Sequence, residues 1–339
     1  MKNSISMISA RALGAMPEFV HAEVGAKGLA HVMEKSDMPY VVLENRDFFI
    51  PQAKLVKFLG ASAYLMGEQN LGLTLARYLT VRDYGIWGDY VLAAPTLGAS
   101  LVRAQSSLKF HSATDTLRIL RVNEGDLARF EYRFASAHIN GYNHIACCAA
   151  GVVMSVFSYY LGRSWVPEWV ELNIPKPHGW SVFEEAFGCP VVFDAANVAI
   201  VFQRECLESP APENDVSCAP SLFDVSRERM GGSPTRLDDI VSEQIRLQLL
   251  DGAVSIEKVA AGLGMGIRKL QRELDGFGVS FRRMTNLIRL QRAKQLLHEP
   301  DLSITKISTE LGYSAPAHFT RAFRKEAGAT PREFRATLN

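Results

Sequence analysis

Two segments near the C-terminal end of the chain carry side chains that can hydrogen-bond to the edges of DNA bases. Each segment has the pattern of a short helix, a turn that contains glycine and a second helix, and the two begin at Ser255 and Ser303. On the second helix of the first segment, Arg268, Gln271 and Arg272 recur at i, i+3 and i+4 and share one face. Arginine pairs through two hydrogen bonds with guanine, and glutamine does so with adenine, in the major groove. The pattern predicts a helix-turn-helix unit whose second helix reads DNA.

The second segment repeats this arrangement 48 residues further on. We expect Phe319, Ala322 and Phe323 to form the buried side of its second helix, with Ser314 as the capping residue. The opposite side of that helix carries Ala317, Thr320, Arg321 and Arg324. An isolated amphipathic helix with arginines is more often a solvated surface, but two copies of one unit favour DNA reading.

A single long helix is predicted between the two units, from Phe281 to His298. Its inward side would be formed by Met284, Leu287, Ile288, Ala293, Leu296 and Leu297. In the first reading helix the predicted buried residues are Ile267, Leu270 and Leu274. A connector of this length could hold the two reading helices about one duplex turn apart, ~34 Å. Residues 236–339 are therefore predicted to form an all-α domain with two helix-turn-helix units joined by a long helix.

The charges are divided unevenly along the 339 residues. The net charge is +1, from 37 Lys and Arg against 36 Asp and Glu. Residues 236–339 contain 17 basic and 12 acidic side chains, so residues 1–235 contain 20 and 24, and the two parts carry +5 and −4. A basic domain behind a mildly acidic one suits a polyanionic partner for the C-terminal part.

The N-terminal residues 1–208 predict an α+β domain, because helical and strand periodicities follow one another without regular alternation. Helical spacing of leucine covers 50–80 and a stretch from Pro95 to about 110. A β-hairpin is predicted over 117–134, with its turn at 123–126, and a buried helix over 141–161. A strand over 169–174, a short helix over 181–187 and a strand pair at 191–193 and 198–202 complete the domain.

Prolines and the pair Gly231–Gly232 punctuate residues 209–235, which we interpret as an interdomain linker with Leu222 and Phe223 able to dock on one domain. The most apolar stretch, Ile145 to Phe157, is about 13 residues long, which is too short to span a bilayer. The first residues, up to Arg11, are too polar for the core of a signal peptide. A cytoplasmic protein is the expectation.

Chemistry other than DNA binding has weaker support in this sequence. The five cysteines are odd in number and lack a C-x-x-C spacing, so neither a disulfide framework nor structural zinc is expected. His138 and His144 match no metal-ligand spacing, and no G-x-S-x-G, P-loop or G-x-G-x-x-G motif occurs. We therefore expect no metal, cofactor or catalytic site. The alternative is an enzyme, such as a DNA-repair enzyme, with an accessory DNA-binding tail, which would need a reactive low-pKa cysteine.

A large supply of aromatic side chains in the N-terminal region admits two interpretations. They pack the core, or they line a pocket in which Glu131, Glu171 or Asp194 pairs with a cationic ligand such as an amine or amino acid. The candidate ligand-binding residues are Trp87, Tyr90, Glu131, His138, Tyr142, Trp169 and Glu171.

Over roughly 240–335, where the two helix-turn-helix units lie, the chain resembles the AraC/XylS family of bacterial transcription regulators. The resemblance is carried by 260–265, 270–272, 278–281, 289–297, 311–314, 319–324 and 328–335, and the last run looks like the signature G-x-[ST]-P-x-x-[YF]-R. It implies base contacts from Arg268, Gln271 and Arg272 in the first unit. In the second unit it implies contacts from Ala317, His318, Thr320 and Arg321. Gly266 replaces the usual serine cap of the first reading helix, and Ala317 cannot donate hydrogen bonds to bases.

The N-terminal region resembles the non-cupin effector domain found in one branch of that family, through 94–101, 165–169 and 187–194. The resemblance implies a small-molecule effector domain that controls DNA binding or polymerase recruitment. We therefore expect a homodimeric transcription activator with promoter DNA (direct-repeat half-sites), RNA polymerase and a small-molecule effector as partners.

Overall fold

The computed structural model describes residues 5–122, 126–212, 219–229, 231–252 and 254–338. The chain divides into two compact units. The first unit consists of Met1–Met38 and Arg46–Ser233, and the second of Pro39–Asn45 and Pro234–Asn339. The first is mixed α and β and the second is helical, which confirms the predicted fold classes.

Eight α-helices belong to the described part of the first unit. They are α1 (Met16–Ser36), α2 (Gln52–Met66), α3 (Leu71–Ala76), α4 (Ile86–Leu92), α5 (Leu97–Ser107), α6 (Tyr142–Leu161), α7 (Ser181–Phe187) and α8 (Leu222–Glu228). The predicted helical regions 50–80, 95–110, 141–161 and 181–187 correspond to α2 with α3, α5, α6 and α7. Helix α1 was not anticipated by the sequence.

Seven strands lie within the described residues and form two sheets. They are β1 (Met7–Ser9), β2 (Phe49–Pro51), β3 (Thr116–Val122), β4 (Leu127–Arg133), β5 (Trp169–Glu171), β6 (Val191–Val192) and β7 (Val198–Gln203). β1 pairs with β2, and the larger sheet has the order β3-β4-β7-β5-β6. The predicted hairpin is β3 with β4, although residues 123–125 of its turn lie outside the described residues.

The predicted strand pair at 191–193 and 198–202 is wrong as a pair. β6 lies parallel to β5 at the edge of the sheet, whereas β7 runs antiparallel between β4 and β5. The sequence between the two strands is long enough for a hairpin, but β7 is buried at every position except its last. An apolar strand of this kind is stabilised better between two neighbours than at an edge.

Helix α6 is the core helix of the first unit. It is 20 residues long, so the apolar stretch of about 13 residues seen in the sequence underestimates it. By length and composition it could cross a membrane, but 56% of its most apolar window is buried inside the protein, where it packs on α3 and β7. Helices α6 and α3 approach each other closely because each has a glycine that faces the backbone of the other. A Cβ on Gly72 would lie 2.3 Å from the His144 carbonyl oxygen, and one on Gly151 would lie 2.3 Å from that of Ala76.

The segment predicted as a linker contains helix α8, which belongs to the first unit. The buried residues there are Val225 and Arg229, whereas Leu222 and Phe223 are exposed, contrary to the docking role expected for them. The guanidinium of Arg229 donates to the Ser9 hydroxyl and to the Tyr84 carbonyl oxygen, both at 2.8 Å. Residues 213–218 and 230 of the predicted linker lie outside the described residues.

The second unit contains seven described α-helices. They are α9 (Leu237–Leu250), α10 (Ile256–Gly262), α11 (Ile267–Gly276), α12 (Phe281–Leu297), α13 (Ile304–Glu310), α14 (Pro316–Ala327) and α15 (Pro331–Ala336). α10 with α11 and α13 with α14 are the two predicted helix-turn-helix units, and α12 is the predicted connector.

Candidate nucleic-acid interface and ligand cavity

The first reading helix, α11, presents its polar side to solvent. Leu270 and Leu274 are fully buried, and Arg268, Gln271 and Arg272 are exposed. The prediction that Ile267 is buried is wrong, since 38% of this residue is exposed. It is the first residue of the helix, and a helical side chain covers the turn that precedes it, which is absent here.

The turn before α11 and the cap of α10 set the geometry of this unit. The Ser255 hydroxyl accepts a hydrogen bond from the Lys258 N–H and fixes the start of α10. Gly264, with φ of 65°, provides the left-handed residue of the turn, as Gly312 does with φ of 73° in the second unit. Gly266 occupies the capping position of α11 in an extended conformation, without a side-chain cap.

The second reading helix, α14, buries Phe319 and Phe323 almost completely. Thr320 is half-buried at its margin. The residues on its exposed side are Ala317, His318, Arg321 and Arg324. The helix is capped by Ala315, which makes no side-chain cap bond, and Pro316 occupies its first turn.

Ser314 does not cap α14, contrary to the prediction. It lies one residue before the capping position, and its hydroxyl lies 3.1 Å from Nδ1 of His318. This contact fixes the His318 ring beside the first turn of the reading helix. Ser314, which was predicted to cap the helix, instead orients His318, a candidate for contact with a base.

The connector α12 packs its inner side against α9 and α14. Met284, Ile288 and Leu296 are buried as expected, but Leu287 is 42% exposed. The buried side of the helix is centred on Thr285 and Leu296, and at 100° per residue Leu287 falls on the opposite side.

The closing motif at 328–335 holds the end of the connector. Thr330 and Glu333 form a reciprocal capping box at the start of α15, and the Phe334 ring packs on Phe323. The Arg335 guanidinium donates to the Leu297 and Leu302 carbonyl oxygens, at 3.2 and 2.6 Å. Arg335 thereby satisfies carbonyls that the helix end leaves without partners. The motif is structural and fixes α14 relative to α12.

The exposed arginines of the two reading helices lie outside the ion pairs of the described residues, although Arg324 interacts electrostatically with Glu333. Among the residues that the structure describes, Arg268, Arg272, Arg321 and Arg324 form no ion pair. By contrast, Arg292 on the connector pairs with Glu310. The unpaired guanidinium groups are therefore free to meet an anionic or hydrogen-bonding partner.

Of the seven candidate ligand-binding residues of the first unit, the structure brings only three together. Glu131 and Glu171 both pair with the guanidinium of Arg129, and the Trp169 indole N–H donates to Glu171 at 3.2 Å. Because successive strand residues alternate, these side chains lie on the opposite sheet face from Phe130. The two carboxylates are thus already compensated by a cation of the protein.

The remaining candidates are separated from that cluster. The Tyr90 ring carries the Arg103 guanidinium at 4.9 Å from its centroid, and the Tyr142 hydroxyl donates to Asn173 at 2.7 Å. His138 and Asp194 are exposed. Trp87 lines a cavity that lies between α4, α5, α6 and the large sheet.

This cavity has a volume of about 80 Å³ and an aromatic wall that sequence patterns did not identify. The His111 ring stacks on both Tyr84 and Trp87, with centroid distances of 4.3 and 5.1 Å, and those two rings lie 6.1 Å from each other. The Trp87 indole N–H donates to the Ser107 hydroxyl at 2.9 Å, which fixes that ring. The other walls are formed mainly by aliphatic and aromatic side chains, including Leu101, Phe130, Phe134, Ile145 and Val152.

Burial shifts the pKa of His111 in this wall and of Asp115, which hydrogen-bonds to the lining residue Tyr132. Burial, helped by the nearby positive charge of Arg229, lowers the pKa of His111 from 6.5 to about 3, so the imidazole is neutral. Burial raises the pKa of Asp115, although its carboxylate accepts hydrogen bonds from Gln52 and Tyr132, each at 2.8 Å. The cavity is lined by uncharged groups.

The described cysteines are not reactive thiols. Burial raises the pKa of Cys147 to about 12 and that of Cys189 to about 11, and it raises that of Cys148 well above the usual value. A catalytic cysteine needs the opposite shift, toward a thiolate at neutral pH. Cys218 lies outside the described residues.

Comparison with known proteins decides the family. Residues 28–211 match the profile described as the arabinose-binding domain of the AraC transcription regulator, and residues 259–337 match a helix-turn-helix domain. This chain belongs to the AraC family of transcription regulators. It is accordingly a DNA-binding regulator of transcription and not an enzyme, which settles the alternative raised by the sequence.

Similar regulators extend over most of the chain. The regulator VirS of Mycobacterium tuberculosis is 26% identical over 325 residues, covering 93% of this chain and 92% of VirS. The ornithine utilization regulator of Pseudomonas aeruginosa is 25% identical over 279 residues, or 80% of each chain. The crystal structure of the regulator CdpR from P. aeruginosa covers 78% of this chain and 86% of its own, with 24% identity and a TM-score of 0.37.

Proposed function

We propose that this AraC-family regulator recognises a specific DNA sequence through both reading helices, under the control of a small molecule bound in its N-terminal domain. The observation that carries the first part is the exposed, unpaired basic side of α11 and α14. In the first unit Arg268, Gln271 and Arg272 read bases, and they combine the two residue types best suited to guanine and adenine.

In the second unit the residues proposed to face DNA are Ala317, His318, Thr320, Arg321 and Arg324. Ala317 offers only a methyl group and Thr320 is half-buried, so the hydrogen-bonding capacity of this helix resides in His318, Arg321 and Arg324. The second unit therefore reads sequence less strictly than the first and contributes more through phosphate contacts.

Effector control is supported by the domain that the N-terminal residues match and by the cavity inside it. The name of the ornithine utilization regulator is consistent with an amine or amino acid as effector, as the aromatic and acidic residues of the sequence also predict. However, Glu131 and Glu171 are occupied by Arg129, which leaves them poorly suited to hold a cationic ligand. We further propose a cytoplasmic homodimer that activates transcription at direct-repeat half-sites by recruiting RNA polymerase.

The experiment uses the full chain and a DNA site selected by it from a random duplex library. Arg268→Ala and Arg321→Ala should each lower the affinity for that site by about 1–3 kcal/mol, or roughly 5- to 150-fold, and relax the preference at one base pair. Arg163→Ala is the control, because it removes an exposed positive charge from the N-terminal unit. If both variants bind with wild-type affinity at the same salt concentration, the assignment of the reading helices is refuted.

A further inference from the structure

We propose that the cavity behind Tyr84, His111 and Trp87 is the effector site, and that its ligand is a small, uncharged, mostly apolar molecule that hydrogen-bonds to His111. This inference rests on the proposed function, since it names the chemical class of the effector. The proposed effector is neutral rather than cationic, and its site lies in the interior of the domain rather than on the acidic face of the sheet.

The shape of the cavity favours a flat or compact ligand. Three stacked rings form one wall, and aliphatic side chains from α5 and α6 complete the others. An engineered apolar cavity of about 150 Å³ binds benzene. This cavity has about 80 Å³, roughly half that volume, so side chains of its wall must move apart before it admits a single ring or a short branched chain.

His111 supplies the polar group that an effector site requires. The residue is only 4% exposed, and its Nδ1 has no hydrogen-bond partner within the part of the chain that the structure describes. Buried polar atoms are rarely left without a partner, because each one costs free energy of the order of a lost hydrogen bond. This nitrogen is closed to solvent in the ligand-free chain, and a ligand hydroxyl or carbonyl group that reached it as the wall opened would satisfy it, since a neutral imidazole can donate or accept.

Charged ligands are disfavoured for separate reasons. A cation would lose its hydration without meeting a free carboxylate, and the positive charge of Arg229 lies close enough to affect His111. An anion in the cavity would not meet Arg229, because that residue is not part of the cavity wall and two of its guanidinium nitrogens already donate to Ser9 and Tyr84. Neutral, mostly apolar molecules are the class that remains.

Calorimetric titration of the full chain with four single-ring probes tests this class. Phenol and toluene should bind, and phenol should bind about two- to ten-fold more tightly through one net hydrogen bond. Benzylamine and benzoate, which keep the ring and add a charge, should bind at least about a hundred-fold more weakly. In His111→Phe the preference for phenol over toluene should disappear while toluene still binds.

Two variants of α5 test the location. Ala104 lines the cavity and is 5% exposed, so Ala104→Leu should weaken toluene binding at least about ten-fold by filling the space. Val102→Leu is the matched control, because Val102 is 54% exposed on the same helix. Xenon-pressurised crystals of the wild-type protein give an answer that depends on no variant, with density expected among Tyr84, Trp87 and His111.

The proposal is overturned if toluene and phenol do not bind, if benzylamine binds as well as they do, or if xenon is absent from the cavity. Binding to the selected DNA site is measured on the same samples. A protein that binds DNA but ignores neutral probes refutes the effector class and leaves the reading helices intact. A protein that binds the probes while Arg268→Ala and Arg321→Ala retain full DNA affinity refutes the proposed function of those helices instead.

Discussion

Acidification should destabilise the N-terminal unit through His111. Its pKa is about 3 in the folded protein and 6.5 in an unfolded reference, so folding keeps the ring neutral where the unfolded chain would protonate it. For a group whose pKa is depressed by folding, the contribution is fully present above pH 6.5 and is lost as the pH falls toward 3. At 1.36 kcal/mol per pH unit, the loss between about pH 7.5 and about pH 5 is about 2 kcal/mol.

Tryptophan fluorescence makes the measurement selective for this unit. All four tryptophans, from Trp87 to Trp180, belong to the first unit, so urea unfolding followed by their emission reports on that unit alone. Across this pH range the wild-type protein should lose about 2 kcal/mol more than His111→Phe, which keeps a ring against Tyr84 and Trp87. In a thermal scan the same difference is about 4–8 °C.

The other histidines are common to both proteins, so their contributions cancel in the comparison. These include His144, whose pKa is also lowered by burial. His138→Phe is the control because His138 is exposed, and it should follow the wild-type profile. Parallel stability profiles for wild type and His111→Phe would refute the argument that burial holds this imidazole neutral.

Three further predictions concern backbone geometry and helix ends. Gly72→Ala and Gly151→Ala should each lower the unfolding free energy of the first unit by about 1–3 kcal/mol or more, measured in urea, because each Cβ would meet a backbone carbonyl at 2.3 Å. Gly60→Ala, in open space on α2, should instead raise it by about 0.5–1 kcal/mol. Gly266→Ser should stabilise the second unit by a few tenths of a kcal/mol in thermal scans without weakening DNA binding. Arg335→Ala should destabilise that unit by about 1–3 kcal/mol in the same scans, since the Leu297 and Leu302 carbonyl oxygens lose their donor.

The second unit was predictable from the sequence because its structure depends on local patterns. Helical periodicity, capping residues and turn glycines are read within one or two turns of each other, and the two copies reinforce the interpretation. The errors, at Ile267, Ser314 and Leu287, concern single positions. Each depends on where a helix begins or on which side its neighbours cover, and periodicity alone leaves both undetermined within a residue or two.

The first unit was predictable only in outline. Helix α1 escaped prediction because its apolar residues are weakly segregated to one face and its helical conformation is interrupted at Gly25. The cavity was not predicted from the sequence for a different reason. Tyr84 and Trp87 are three residues apart in sequence, and tertiary packing brings the distant His111 against both rings. The carboxylates that suggested a cation site from the sequence pair with Arg129. The i, i+2 spacing places Arg129 and Glu131 on one face of β4, but only the pairing of β4 and β5 with β7 brings Glu171 to them.

The hydrogen bond from Arg229 to Tyr84 places the end of α8 next to the cavity wall. The ring of Tyr84 forms part of the cavity wall, and its carbonyl oxygen accepts the hydrogen bond that holds the residue following α8. Tyr84 thus contacts both the cavity and the chain segment between α8 and α9. By thermodynamic reciprocity, an occupant that shifts Tyr84 would alter the free energy of releasing α8, and release of α8 would alter the affinity for that occupant by the same factor. No residues other than Tyr84 and Arg229 would be needed to couple the cavity to α8.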